Sequence, residues 1–183
     1  MMGLIRVAVA EDWPRIWPFF AAIVGAGETY AYPEGLTQET ARPLWMEGPP
    51  GRTVVAAEGD TVVGSAKMGP NRPGRGAHIA TASFMVDPAY QGHGVGRALG
   101  EHVVGWARAA GYHGMQFNAV VETNTSAVRL WQALGFEILT TVPEAFNHVR
   151  YGLVGLHVMY QRLSRLEFVN EVGDRGPDEG TPT

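Results

Sequence analysis

Residues 83–99 constrain the fold more than any other stretch of this chain. The apolar residues 84–86 predict a strand, which Asp87-Pro88 ends. Three glycines follow at positions 92, 94 and 96, and an amphipathic helix begins directly after them. The N–H groups in the first turn of a helix have no intrahelical partner and lie at the positive end of its dipole. This stretch therefore predicts an anion site, with phosphate as the expected guest.

The spacing of these glycines excludes two common nucleotide-binding loops. A dinucleotide fingerprint needs Gly-x-Gly-x-x-Gly, and in the two frames that begin here the last position falls on Arg97 or Leu99. A P-loop ends in Gly-Lys-Ser or Gly-Lys-Thr, whereas the sole lysine of the chain is Lys67. The predicted anion therefore belongs to another class of ligand.

Two short motifs resemble those of a known enzyme family. Residues 91–96 follow the pattern Gln-x-x-Gly-x-Gly, which resembles the acetyl-CoA pyrophosphate loop of the GNAT superfamily of N-acetyltransferases. A second stretch is similar to the superfamily pattern Asn-x-x-Ala-x-x-Leu-Tyr-x-x-x-Gly-Phe. The matching residues are Asn124, Ala127, Leu130, Gly135 and Phe136, and Trp131 stands at the position of the tyrosine. A predicted strand, residues 115–121, lies between the two motifs.

The resemblance implies an α/β GNAT fold, in which helices flank a mixed central sheet with two splayed strands. One of these strands ends at Val86 and the other begins at Met115, and the pantetheine arm of acetyl-CoA fits between them. We expect the GNAT domain to cover residues 1–166 and residues 167–183 to form a disordered acidic tail. The residues that the resemblance assigns to acetyl-CoA are Phe84, Met85, Val86, Gln91, Gly92, His93, Gly94, Val95, Gly96, Arg97, Asn124, Ala127 and Trp131.

The periodicity of apolar residues predicts the remaining elements. Asp12 is expected to cap a first helix, and the helix after the glycines is expected to bury Trp106 and Ala110 with the apolar residues before them. The other predicted elements are a helix over residues 37–46, a short helix over 125–134, and strands over 4–9, 53–57, 61–68, 78–86, 138–142 and 156–163.

Charge and composition limit the classes of binding partner that we expect. The net charge is −4 and no basic block occurs, so nucleic acid is not an expected partner. Cysteine is absent and the six histidines form no His-Glu-x-x-His pattern, so we expect no disulfide and no metal. The apolar stretch over residues 16–24 is shorter than a bilayer requires. We expect a cytoplasmic protein that does not bind membranes, and a homodimer is left open.

The chemistry of acetyl transfer needs a base, an oxyanion donor and a proton for the leaving thiolate. With no cysteine present, direct attack by the amine in a ternary complex is favoured over a cysteinyl acyl-enzyme. The resemblance implies that a backbone N–H near Val86 binds the oxyanion. The strand positions where some relatives carry a base hold Ala80 and Ala82, neither of which can accept a proton.

The base and the acid must therefore come from elsewhere. Glu28, Glu122, His78 or a water chain remain as candidates for the base. Where many relatives carry a tyrosine as general acid, this chain has Trp131, whose indole N–H does not ionise near neutral pH. Trp131 then forms part of the pocket wall, and Tyr30, Tyr32 or solvent protonates the thiolate.

Asn118 is the candidate for acceptor binding. Strict alternation along residues 115–121 places Gln116, Asn118 and Val120 on one face of the strand, opposite the larger apolar set. The Asn118 amide could hold the acceptor or orient a water, or it could bond to neighbouring backbone groups. Together with Glu28, Glu122 and Trp131 it completes the set of residues expected in catalysis.

The class of acceptor is suggested by resemblance to subgroups of the family. Residues 117–124 resemble small-molecule acetyltransferases that act on proline analogues, and Glu28-Thr29-Tyr30 resembles phosphinothricin-type enzymes. A small-molecule amine is therefore the expected acceptor. A protein N-acetyltransferase and a non-catalytic acyl-CoA-binding module remain as alternatives.

Overall fold

The computed structural model describes residues 4–163, and these form a seven-stranded sheet with helices on both faces. The predicted acidic tail lies outside the described residues. The strands are β1 (Leu4–Val7), β2 (Arg52–Glu58), β3 (Thr61–Pro70), β4 (Ile79–Val86), β5 (Gly114–Val121), β6 (Glu137–His148) and β7 (Gly152–Arg162). The helices are α1 (Trp13–Gly25), α2 (Gln38–Trp45), α3 (Val95–Ala109) and α4 (Thr125–Ala133).

The strand order across the sheet is β1-β2-β3-β4-β5-β7-β6. Every neighbouring pair is antiparallel except β4 and β5, which are parallel and pair only at Ile79 with Gly114 and at Ala80 with Met115. Beyond these two pairs the strands diverge. The predicted mixed sheet with two splayed strands is therefore confirmed.

Each face of the sheet has its own apolar core, because side chains alternate between the faces along each strand. One core joins α3 and α4 to the sheet through residues such as Leu99, Met115 and Phe117. The other joins α1 and α2 through residues such as Phe20 and Met85. The splayed strands thus lie between two packed layers of helices.

The inward face of α3 differs in part from the prediction. Val103 and Ala107 are fully buried, whereas the expected Ala110 is exposed and Trp106 is half-buried. Ala110 is exposed because it is the C-cap, one residue beyond the last helical turn. Gly111 follows with a φ of +80°, a left-handed conformation that ends the helix as expected.

Helices α1 and α2 both begin where the sequence predicted, after Asp12 and Thr37, but only Thr37 caps its helix with a side-chain hydrogen bond. Thr37 caps α2 by accepting a hydrogen bond from the backbone N–H of Thr40. The carboxylate of Asp12 makes no capping bond to α1, because a 3-10 turn over Ala10–Asp12 directs it backward. It instead accepts two hydrogen bonds from Arg6, at 2.6 and 2.8 Å, and one from the N–H of Val9 at 2.8 Å.

The last two strands are longer than predicted and form one extended hairpin. Its tip contacts the loop after α1, where the N–H of Val149 donates to the carbonyl oxygen of Gly27 at 3.1 Å. This contact places the hairpin beside the divergence of β4 and β5. In residues 4–163, no helix combines the length and the hydropathy that a membrane span requires.

Candidate active site

A cavity of about 1010 Å³ opens where β4 and β5 diverge. One end is formed by the glycine turn before α3 and by the start of α4. The other end is formed by the loop after α1 together with side chains of β3, β4 and β5. Its volume and its two different ends suit a large ligand that meets a second molecule.

The glycine turn leads directly into α3, as the sequence predicted. Gly92 and Gly94 adopt φ values of +80° and +83°, a left-handed conformation that glycine adopts without steric strain. Val95 begins α3, so the N–H groups of its first turn lie beside the cavity. This end of the cavity can hold an anion.

Most of the residues predicted in this turn line the cavity, and His93 does not. The lining contains Gln91, Gly92, Gly94, Val95, Gly96 and Arg97. The ring Nδ1 of His93 lies 3.0 Å from the carbonyl oxygen of Gln91. His93 therefore contributes to the shape of the turn and is not part of the cavity wall.

The second motif lies at the start and along the inner face of α4. Asn124 caps the helix by accepting a hydrogen bond from the N–H of Ala127 at 3.3 Å, and both residues line the cavity. Trp131 is buried, with its ring 4.5 Å from that of Phe84 and 5.0 Å from that of Phe117. Trp131 thus forms part of the cavity wall.

The open edge of β4 carries an interaction that the sequence analysis missed. The hydroxyl of Tyr30 donates to the carbonyl oxygen of Phe84 at 2.5 Å and accepts from the N–H of Phe84 at 3.0 Å. Desolvation by burial raises the pKa of Tyr30 above its ordinary value. Tyr30 is therefore protonated at neutral pH and occupies both backbone groups of Phe84.

The backbone groups of the residues that follow Phe84 point alternately toward β3 and toward the gap between β4 and β5. The N–H of Asp87 donates to the carbonyl oxygen of Val63 on β3 at 2.9 Å. Because backbone direction alternates along an antiparallel strand, Met85 also faces β3, whereas Phe84 and Val86 face the gap. Among residues 84–86, the backbone of Val86 is the one left to meet a ligand there.

Asn118 lines the cavity and belongs to a chain of side-chain amides. Its Nδ2 donates to Oδ1 of Asn71 at 2.7 Å, and its Oδ1 accepts from Nε2 of Gln116 at 2.8 Å. The amide therefore bonds to other side chains and not to neighbouring backbone. Asn71 is a second residue that sequence reasoning missed, since it lies in the loop after β3.

The predicted alternation along β5 holds only as far as Asn118. A bulge between Phe117 and Val120 shifts the register against β7, so the expected sharing of one face by Asn118 and Val120 is wrong. Val120 packs on the core of α3 and α4, and Val121 packs in a separate cluster beneath β6 and β7. The bulge leaves Asn118 and Ala119 exposed beside the cavity.

The candidate bases lie in three different places. Glu28 lines the cavity, and its carboxylate pairs with Nε of Arg150 at 2.9 Å. Glu122 is outside the lining and accepts a hydrogen bond from the N–H of Gly155 at 2.6 Å. His78 immediately precedes β4 and is also outside the lining. Glu28 is thus the single carboxylate among the described residues of the cavity wall.

Tyr32 and Lys67 are two further polar residues at the end of the cavity formed by the loop after α1. Burial and the negative charge of Glu47 raise the pKa of Tyr32 to about 12. Lys67 lies on β3 directly opposite Ser83 of β4, and both line the cavity. No group of three or more potential metal-ligating side chains occurs within residues 4–163.

Comparison with known proteins agrees with this geometry. A family model described as the acetyltransferase (GNAT) family matches residues 8–136. A solved GCN5-related N-acetyltransferase from Kribbella flavida is 60% identical, with a TM-score of 0.85, over 87% of this chain and 97% of that one. A phosphinothricin acetyltransferase from Sinorhizobium meliloti, solved with acetyl-CoA, is 25% identical with a TM-score of 0.79 over 90% of each chain.

Two curated proteins show shorter similarities. The N-acetyltransferase aca1 of Schizosaccharomyces pombe is 36% identical over 42% of this chain and 36% of its own length. An L-methionine sulfoximine/L-methionine sulfone acetyltransferase of Salmonella typhimurium is 33% identical over 50% of this chain and 53% of its own length. The similarity thus spans about half or less of these two relatives. From the family match, the fold and the glycine turn together, this chain belongs to the acetyltransferase (GNAT) family.

Proposed function

We propose that this protein transfers an acetyl group from acetyl-CoA to the amine of a small molecule, by direct attack in a ternary complex. The observation that carries the proposal is the cavity between β4 and β5, because it joins a helix N-terminus to a separate polar end. An anionic co-substrate fits the first end and an acceptor fits the second.

In this proposal, acetyl-CoA binds to the backbone groups of the cavity wall that have no other partner in the described part of the chain. Its pyrophosphate lies at the first turn of α3, where Gly92 and Gly94 leave the backbone accessible. Its pantetheine arm donates a hydrogen bond to the carbonyl oxygen of Val86, because Tyr30 already occupies Phe84. Asn124, Ala127 and Trp131 then lie along the arm near the thioester.

The reaction follows from the groups that surround the thioester. The N–H of Val86 faces the gap and stabilises the oxyanion that develops on the thioester carbonyl. Glu28 accepts the proton from the attacking ammonium, directly or through water. Asn118 orients the acceptor, and solvent protonates the leaving thiolate because the hydroxyl of Tyr30 is bonded to Phe84.

The contacts at the acceptor end of the cavity favour a small molecule over a peptide as the acceptor. The tip of the β6–β7 hairpin bonds to the loop after α1 through Val149 and Gly27, and Arg150 pairs with Glu28. These contacts restrict the space that an extended peptide would need. The relatives named for L-methionine derivatives and for phosphinothricin support the same class.

A screen with release of the free thiol of CoA as the readout tests the proposal. Acetyl-CoA is offered with a panel of free amines and amino acids, and in parallel with peptides that have free N-termini and lysines. We expect turnover with at least one small amine and none with the peptides. Turnover on peptides alone would support the protein acetyltransferase, and acetyl-CoA binding without any turnover would support a binding module.

A further inference from the structure

Lys67 is the sole lysine of the chain and lies at the acceptor end of the cavity. Its neighbour across the strands is Ser83, and period-two alternation puts Thr81 on the same face of β4. Both hydroxyl residues line the cavity with it. An ammonium flanked by two hydroxyl groups is a set of donors that suits an anionic group.

The position of the ammonium is fixed by the end of α2. Nζ donates to the carbonyl oxygen of Leu44 at 2.9 Å and lies 3.3 Å from the carboxylate of Glu47. Leu44 belongs to the last turn of α2, where the helix dipole favours a cation. The lysine side chain is 22% exposed and is held by these two contacts, so binding an acceptor costs it little further side-chain entropy.

The ammonium keeps capacity for another partner. It has three N–H donors, and two of them are directed at Leu44 and Glu47. No third partner occurs among the described residues. The other cavity-lining cation, Arg97, lies at the glycine turn and pairs with Glu101 at 3.6 Å. Lys67 is therefore the cation of the cavity wall that faces the acceptor.

We propose that Lys67 binds a carboxylate of the acceptor, so that the enzyme selects amines that carry a carboxylate, such as α-amino acids. This inference rests on the proposed function, because it names the acceptor of the same site. Lys67 forms the charge contact, while Ser83 and Thr81 supply hydroxyl donors beside it. The same positive charge disfavours polyamines, whose additional ammonium groups would lie near it.

Matched pairs of substrates test the proposal. Each pair consists of an α-amino acid and the amine that lacks only its carboxylate, such as L-leucine with isoamylamine, and the panel covers apolar and polar side chains. Wild-type enzyme is expected to acetylate amino acids with a kcat/KM at least about tenfold above that of their amine partners. Equal values within the pairs would overturn the role of Lys67 and leave the proposed function intact. No turnover with any small amine would instead overturn the proposed function.

Two variants separate carboxylate binding from a structural role. Lys67→Met is expected to raise KM for the amino acids about 10- to 100-fold while leaving kcat/KM for the amines nearly unchanged. Glu47→Gln removes the exposed ion-pair partner and keeps the bond to Leu44, so it is expected to maintain the preference for amino acids. If both variants lower the melting temperature and affect both members of each pair equally, Lys67 is a structural residue and the proposal is wrong.

Discussion

Replacing Tyr30 with phenylalanine removes one oxygen atom that serves two backbone groups. In the native protein this hydroxyl bonds to both the N–H and the carbonyl oxygen of Phe84. Phe84 lies where β4 has already separated from β5, so no neighbouring strand can replace these bonds. The Tyr30→Phe variant therefore leaves two polar groups to water or to a ligand.

The size of the effect follows from these two bonds. Leaving a buried polar group without a partner costs about 1–3 kcal/mol, and water in the open cavity offsets part of this for the two groups. We expect a loss of about 1–3 kcal/mol in the free energy of unfolding. For a chain of this length, that corresponds to a melting temperature lower by about 2–12 °C.

Thermal and urea unfolding, with and without acetyl-CoA, measure this loss. Tyr32→Phe is the matched control, because the hydroxyl of Tyr32 has only a 3.5 Å contact with the carbonyl oxygen of Leu44. We expect that control to lie within about 0.5 kcal/mol of the native protein. Saturating acetyl-CoA is expected to narrow the difference for Tyr30→Phe, because its arm carries amides that can bond to Phe84.

Turnover supplies the result that would refute the reasoning. If solvent protonates the leaving thiolate, Tyr30→Phe retains kcat within about threefold of the native value. A variant with the native melting temperature and no turnover would show that Tyr30 is a general acid. A native melting temperature with native turnover would show that Phe84 does not depend on this hydroxyl.

Three further perturbations test other parts of the structure. Gly94→Glu is expected to abolish acetyl-CoA binding in calorimetry, because it places negative charge at the start of α3, whereas Gly94→Asn tolerates the φ of +83° and should retain binding. Asn118→Ala is expected to lower kcat/KM for the acceptor by a factor that corresponds to about 1.5–3 kcal/mol, while acetyl-CoA affinity stays unchanged and the melting temperature changes little. Asn71→Ala should have a smaller effect on kcat/KM. The bonds from Arg6 hold the pKa of Asp12 below its usual range, so Asp12 stabilises the fold above about pH 4 and this contribution is lost as the pH falls through the lowered pKa. Asp12→Asn should therefore cost about 1–3 kcal/mol at pH 7 and progressively less in acid, and a difference that stays constant with pH would contradict the ion pair.

The sequence by itself determined the features that depend on neighbouring residues. The left-handed turns at Gly92 and Gly94, the start of α3 after them and the cap of α4 at Asn124 all follow from local backbone requirements. The two motifs indicated the family, and the resemblance to that family implied the divergence of β4 from β5. These features are predictable because the residues that cause them lie within a few positions of one another.

The tertiary structure alone decided which polar groups meet in the cavity. Tyr30 reaches Phe84 across 54 residues, Asn118 reaches Asn71 across 47, and Lys67 reaches Leu44 across 23. The bulge in β5 ended the alternation that the sequence predicted, and the bond to Gly155 holds Glu122 outside the cavity. Such contacts depend on strand register and on the packing of distant loops, and no spacing along the chain encodes them.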